Sequence, residues 1–217
     1  MKKEHGRNFC IAAGMLFAFL LWTAAIRFVD VQAIGPQESL VGFAALNRFV
    51  HDLTGVHMSL YTLTDWLGLV PFGFVMGFAL LGLMQWIERK HLLKVDHDIL
   101  ILGGFYIVVM AVYVLFEIFV VNYRPVLIHG SLEASYPSST TMLVLCVMPT
   151  AIMQFHARIR NRILKRFLAS AMIAFLVFMV IGRLVSGVHW FTDIIGGALL
   201  SAGLVLMYRA VVRWNGN

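Results

Sequence analysis

The chain has 217 residues, 60% of them hydrophobic and 13% charged, with a mean hydropathy of +0.85. A soluble domain of this size sits nearer half apolar and a quarter charged, so composition points to a membrane protein. The formal charge of +6 does not argue for nucleic acid, because the basic residues cluster in short stretches between long apolar blocks. No segment is low in complexity and no period of about 20–50 residues repeats, so 1–217 reads as one domain.

Six apolar blocks follow one another: Phe9–Val29, Trp66–Ile87, Ile99–Val121, Ser139–His156, Phe167–Leu184 and Ile194–Val211. Each is long enough to cross about 30 Å of hydrocarbon at about 1.5 Å per residue. The first block also has marks of a cleaved signal peptide, with Met1-Lys2-Lys3 ahead of it and Thr23-Ala24-Ala25 near its end. We read it as a retained span. The expected fold is therefore an all-α membrane protein of six transmembrane helices.

The charges suggest an orientation. Lys2, Lys3 and Arg7 precede the first span, and Arg89, Lys90 and Lys94 join the second to the third. Arg158, Arg160, Arg162, Lys165 and Arg166 join the fourth to the fifth, and Arg209 and Arg213 end the chain. With six crossings these regions share one side, and they hold 13 of the 17 Lys and Arg residues. By the positive-inside rule that side is cytoplasmic, with both termini on it. The location expected is the cell (cytoplasmic) membrane.

The other side receives segments 30–65, 122–138 and 183–193. Within the first, Leu40, Phe43, Leu46 and Val50 fall at helical spacing, with Arg48 and Asp52 off that face. An extracytoplasmic amphipathic helix is expected around 40–53, either lying on the membrane surface or packing over the mouth of the bundle. Asp65, Arg48 and His57 either line an entrance or cap helices. Cys10 and Cys146 each fall inside an apolar run and are expected as small buried residues.

Most of the residues able to do chemistry lie in the two later outer segments. Arg124 and Arg183 stand at span ends, where an ionisable group is costly unless it snorkels, pairs or serves function. Two guanidinium forks on one rim suit a tetrahedral oxyanion. Ser138, Ser139 and Thr140 follow Pro137 at a helix start, where hydroxyls and free N–H groups make either an anion site or a plain N-cap. His189 and Asp193 are four apart, hence on one helical face. Such a carboxylate can hold one imidazole nitrogen and leave the other free for nucleophilic attack.

These segments together resemble the three-part signature of the type 2 phosphatidic acid phosphatase family, whose relatives include bacterial acid phosphatases and vanadium haloperoxidases. The signature K-x6-R-P, P-S-G-H, S-R-x5-H-x3-D appears here as Glu117-x6-Arg124-Pro125, Pro137-Ser138-Ser139-Thr140 and Gly182-Arg183-x5-His189-x3-Asp193. The resemblance implies that His189 attacks phosphorus, Asp193 orients it, and Arg124, Arg183 and Ser138 hold the phosphoryl oxygens. It also implies a phosphohistidine intermediate hydrolysed by water, with no metal or other cofactor. Ser139 joins the phosphate-binding candidates as part of the same helix start.

Two departures matter. Thr140 stands where the family has its general acid, a role typically worth about 10²–10⁴-fold. Glu117 stands where the family has lysine. Either the substrate's leaving group needs no proton, as in a diphosphate, or another residue supplies it; Glu117, His129 and Glu133 are the candidates. Glu117 could otherwise pair with Arg124 or Arg183, and His129 and Glu133 could be solvated loop residues. Exchanging lysine for glutamate also disfavours a monoester dianion relative to a diester monoanion. The leading expectation is a phosphatase of lipid phosphates or polyprenyl diphosphates acting on the outer side, its partners being that lipid and the bilayer, with no nucleic acid. A lipid phosphodiesterase or head-group phosphotransferase, and a non-catalytic lipid-phosphate receptor or transporter, are the alternatives.

Overall fold

The computed structural model describes residues 2–215 and is helical almost throughout. The helices are α1 (Lys2–Phe28), α2 (Ala44–Thr54), α3 (Met58–Leu67), α4 (Val70–Arg89), α5 (His97–Ile118), α6 (Ser139–Arg158), α7 (Arg162–Val185) and α8 (Phe191–Asn215). Two two-residue strands, β1 (Gln32–Ala33) and β2 (Leu40–Val41), pair antiparallel between α1 and α2. Among the described residues six helical segments are long and apolar enough to cross a membrane. They correspond to the six apolar blocks, so the chain is a multi-pass membrane protein.

The second span departs most from its sequence block. It starts at Met58 and runs to Arg89 as α3 followed by α4, interrupted at Gly68 and Leu69. Pro71 lies in the first turn of α4, where its missing N–H has no partner to lose. The early start comes from a mixed segment, Met58–Leu67, whose Thr and Asp residues kept it out of the apolar count. One of its polar residues turns inward: Thr64 is fully buried, whereas Leu63 and Trp66 are exposed.

The region around 40–53 is corrected in the same way. Leu40 and Val41 are extended, Phe43 has a left-handed backbone with φ of 50°, and the helix starts only at Ala44. Phe43 stacks on Trp22 of α1 instead of lying on the helix face. The inward side of α2 is polar, with Asn47 fully buried and bonded to Thr192 at the start of α8. Leu46, Phe49 and Leu53 point outward and are exposed. The helix thus packs over α8 and also presents an apolar face.

α6 and α8 form the centre. Met142, Val144, Cys146, Val147, Met148 and Ala151 of α6 are buried against Leu102 and Val109 of α5, Met179 of α7 and Leu200 of α8. The outer helices keep large apolar side chains exposed, which is the surface a span turns to lipid. Cys146 is buried, but Cys10 is exposed on α1, contrary to the sequence expectation. An apolar run in a membrane helix does not distinguish core from lipid contact, so neither block content nor residue type could place it.

Candidate active site

Three stretches of chain meet at the start of α8. After α7, Ser186, Gly187 and Val188 turn the chain into His189. Gly187 has φ of 68°, and a Cβ there would lie 2.0 Å from the Gly55 carbonyl oxygen. Glycine therefore meets both the backbone and the steric demand of this turn. The His57 N–H donates to the Ser186 carbonyl at 3.0 Å, tying the α2–α3 connection to the same turn.

The loop between α5 and α6 folds back as an irregular hairpin. Tyr123 pairs with Ala134, the Arg124 N–H donates to the Glu133 carbonyl at 3.1 Å, and the Ser135 N–H donates to the Asn122 carbonyl at 2.9 Å. Tyr136 anchors the loop: its hydroxyl is 2.7 Å from that of Thr23, and its ring stacks with Phe19. Gly196 makes room, because a Cβ there would meet the Tyr136 ring at 2.3 Å. The folded hairpin delivers Arg124 and Ser135 to His189.

His189 is buried, and its two ring nitrogens face different chemistry. Nε2 lies 3.3 Å from Nη2 of Arg183 and 3.5 Å from Nη1 of Arg124. Guanidinium groups only donate, so Nε2 is the nitrogen with the lone pair. Nδ1 lies 3.1 Å from both the carbonyl and the hydroxyl oxygen of Ser135. Burial first, then the two guanidiniums, hold the His189 pKa well below its usual value, so the ring is neutral at neutral pH.

Asp193 is fully buried but does not touch the imidazole in hydrogen-bond range. Its Oδ2 is 3.9 Å from Nδ1. That oxygen accepts from the Ser135 hydroxyl at 2.5 Å and from the Trp190 N–H at 2.9 Å, while Oδ1 accepts from Asn122 at 3.3 Å. The four-residue spacing does bring the two side chains together, at 3.9 Å, but the Ser135 hydroxyl stands between them in place of a direct hydrogen bond.

The two arginines have acidic partners outside the expected set. Arg124 pairs through Nε with Glu133 at 3.1 Å, and Arg183 pairs through Nη1 with Asp65 at 3.6 Å. Glu117 pairs with neither; it is exposed and lines a small cavity with His189, Ser139 and Tyr113. His129 is exposed at the tip of the hairpin, with φ of 50°. The Tyr61 ring lies beneath both guanidiniums, 5.1 Å from Arg183 and 5.9 Å from Arg124. A shared aromatic face offsets part of the repulsion between two neighbouring cations.

Ser138 starts α6 but does not cap it. Its hydroxyl oxygen is buried with no hydrogen-bond partner among the described residues, as are Nε of Arg183 and Oγ1 of Thr141. Unpartnered buried polar groups are costly, and the Arg183 Nε among them belongs to a guanidinium that faces His189. Thr140 is buried with its methyl near Gly68, at the α3–α4 interruption.

Ser135, Asn122 and Tyr61 share this cluster without having been marked as members in the sequence, and Asp65, read there as lining an entrance or capping a helix, pairs with Arg183. For Tyr61, Thr64 and Asp65 a signal exists: their spacing puts them on one helical face just before an apolar block.

The model of the PAP2 superfamily matches residues 72–217, more than half of the chain. The chain belongs to the PAP2 superfamily. Its fold is also similar to the crystal structure of the first transmembrane PAP2 type phosphatidylglycerolphosphate phosphatase from Bacillus subtilis. The TM-score is 0.67 at 17% identity, over 94% of this chain and 96% of that one. Among proteins with curated descriptions none matches this sequence. The PAP2 match starts at residue 72, so α3, with Tyr61 and Asp65, precedes it.

Proposed function

We propose that this PAP2 protein is a membrane lipid phosphatase. It hydrolyses a lipid phosphate or polyprenyl diphosphate at the extracytoplasmic face through a phosphohistidine at His189. Membership of the PAP2 superfamily and a fold shared with a membrane phosphatase support the reaction class. The observation that carries the reading is the placement of Nε2 of a neutral, buried His189 between Arg124 and Arg183.

A phosphoryl group seated against the two guanidiniums and the Ser138 hydroxyl presents phosphorus to Nε2. Attack forms the N–P bond as the bond to the leaving oxygen breaks, and water then releases phosphate and restores the imidazole. The fixed cations take up charge developing on the equatorial oxygens. The Nδ1 proton remains on the ring throughout. Because Thr140 cannot donate a proton as a general acid at neutral pH, a leaving group that needs little protonation, such as the phosphate of a diphosphate, is favoured. The basic stretches at the Arg158 end of the bundle support placing the His189 end outside.

Glu117 supports a second reading. It lines the His189 cavity where the resembling enzymes carry lysine, and it favours a monoanionic diester, hence head-group release or transfer. Purified protein assayed with phosphatidate, phosphatidylglycerophosphate and polyprenyl diphosphate separates the readings. Free phosphate is expected, lost in His189→Ala. A phosphorylated head group found by mass spectrometry favours the diester reading. Binding without turnover favours the receptor or transporter.

A further inference from the structure

Ser135 lies between the imidazole and the carboxylate. Its hydroxyl oxygen is 3.1 Å from Nδ1 of His189 and 2.5 Å from Oδ2 of Asp193, whereas the direct His189–Asp193 distance is 3.9 Å. Its carbonyl oxygen is a second acceptor, also 3.1 Å from Nδ1. The residue is 2% exposed, so water does not compete for these bonds.

The hydroxyl has one proton and must give it to one neighbour. Carboxylate oxygens only accept when ionised, and Oδ2 of Asp193 is otherwise bonded to a backbone N–H. The Ser135 proton therefore goes to Asp193, which leaves the Ser135 oxygen as an acceptor. Nδ1 must then carry hydrogen, shared between the Ser135 hydroxyl and carbonyl oxygens. This fixes the tautomer whose Nε2 lone pair faces Arg124 and Arg183.

We propose that Ser135 is a positioning residue through which Asp193 acts on His189. This rests on the phosphohistidine reading above. When Nε2 bonds to phosphorus the ring becomes cationic, and Nδ1–H donates more strongly to the Ser135 hydroxyl. That hydroxyl is already polarised by the Asp193 carboxylate, so the negative charge reaches the ring through one intervening oxygen. No proton changes owner. Removing the hydroxyl leaves the carbonyl contact in place, so the ring keeps its site but loses its link to the carboxylate.

The test is a double-mutant cycle with Ser135→Ala and Asp193→Asn, assayed on the lipid the wild type hydrolyses, with His189→Ala alongside. Ser135→Ala is expected to lower kcat by about 10–100-fold, as for a lost hydrogen bond to a charged group, with KM little changed. The double variant is expected to be no slower than the slower single variant. A wild-type kcat in Ser135→Ala, or losses that multiply in the double variant, would overturn the proposal. Nitrogen-15 NMR of histidine-labelled wild-type protein gives an answer that needs no variant to fold. A His189 ring protonated on Nδ1 is expected, and one protonated on Nε2 overturns the assignment. Unchanged activity in His189→Ala would instead remove the underlying reading, whereas an inert His189→Ala beside a normal Ser135→Ala removes this inference alone.

Discussion

Arg158 and Arg183 stand at opposite ends of the bundle and are treated differently by their surroundings. Arg158 closes α6, about 30 Å from Ser138 at 1.5 Å per residue. Its fork grips a neighbouring helix: Nη1 and Nη2 reach the two oxygens of Asp98 at 2.9 and 3.0 Å, Nη1 also bonds Gln154, and Asp96 is 3.7 Å away. Arg183 is 1% exposed, yet its ion pair with Asp65 is long at 3.6 Å and its Nε has no partner among the described residues. Arg158 joins α5 to α6 through short bonds to one carboxylate. Arg183 is buried, with a long ion pair and an unpartnered Nε, and is the one proposed to hold a ligand. Burial and pairing distance thus separate a clamp from a proposed ligand grip.

The largest effect that could break this contrast is at the nucleophile. His189→Ala is expected to cut phosphate release by about 10³-fold or more, measured on purified protein. Next comes the arginine pair of experiments. Arg183→Gln is expected to cost about 10²–10³-fold in kcat/KM, as for loss of a group holding transition-state charge. Arg158→Gln is expected to leave turnover per folded molecule near wild type while lowering Tm by a few degrees, because its partly exposed pairs are each worth about 1 kcal/mol or less. Equal losses of turnover in the two variants would erase the distinction.

A pH experiment sharpens it further. An unperturbed histidine titrates at about pH 6.5, and His189 lies well below its ordinary value through burial and the two arginines. Above that ordinary value the ring is neutral in both folded and unfolded chains. As pH falls below it, the unfolded ring takes a proton that the folded ring refuses, so this group's contribution to stability declines with acid. Nitrogen-15 NMR should show His189 still neutral at pH 6. Arg124→Gln removes one of the cations, so its His189 should titrate at higher pH than in the wild type. An unmoved titration would mean that Arg124 does not act on the ring.

The smallest expected effect is at Tyr61. Tyr61→Ala should raise KM by a few-fold to about 20-fold, the range of a cation–π contact of about 0.5–2 kcal/mol. Tyr61→Phe should lose less, because the ring face is kept. A Phe variant as weak as the Ala variant would assign the role to the hydroxyl instead.

These residues also mark how much was legible in the sequence. Six apolar blocks give six spans because a membrane demands uninterrupted apolar length, and block length is a local property. Arg124, Arg183, His189 and Asp193 stand out because charged groups at span ends are rare and their spacing resembles a known signature. Ser135 lies 54 positions from His189, and Thr64 119 positions from Arg183; only the fold creates those contacts. The long segment before residue 66 hides α3 because its inward face is polar. Glu117 could be assigned to Arg124 or Arg183 from its position, but Glu133 and Asp65 hold those places. Cys10 shows the converse limit, since lipid and core select the same residue types.

The central claim is that the Nε2 nitrogen of His189 accepts the phosphoryl group. Rapid quench of the protein with substrate labelled in its terminal phosphate, followed by peptide mass spectrometry, tests it directly. An acid-labile, alkali-stable phosphate on the peptide carrying His189, formed within the first turnover and missing in His189→Ala, is the predicted result. Label on another residue, or steady turnover in His189→Ala, would contradict it.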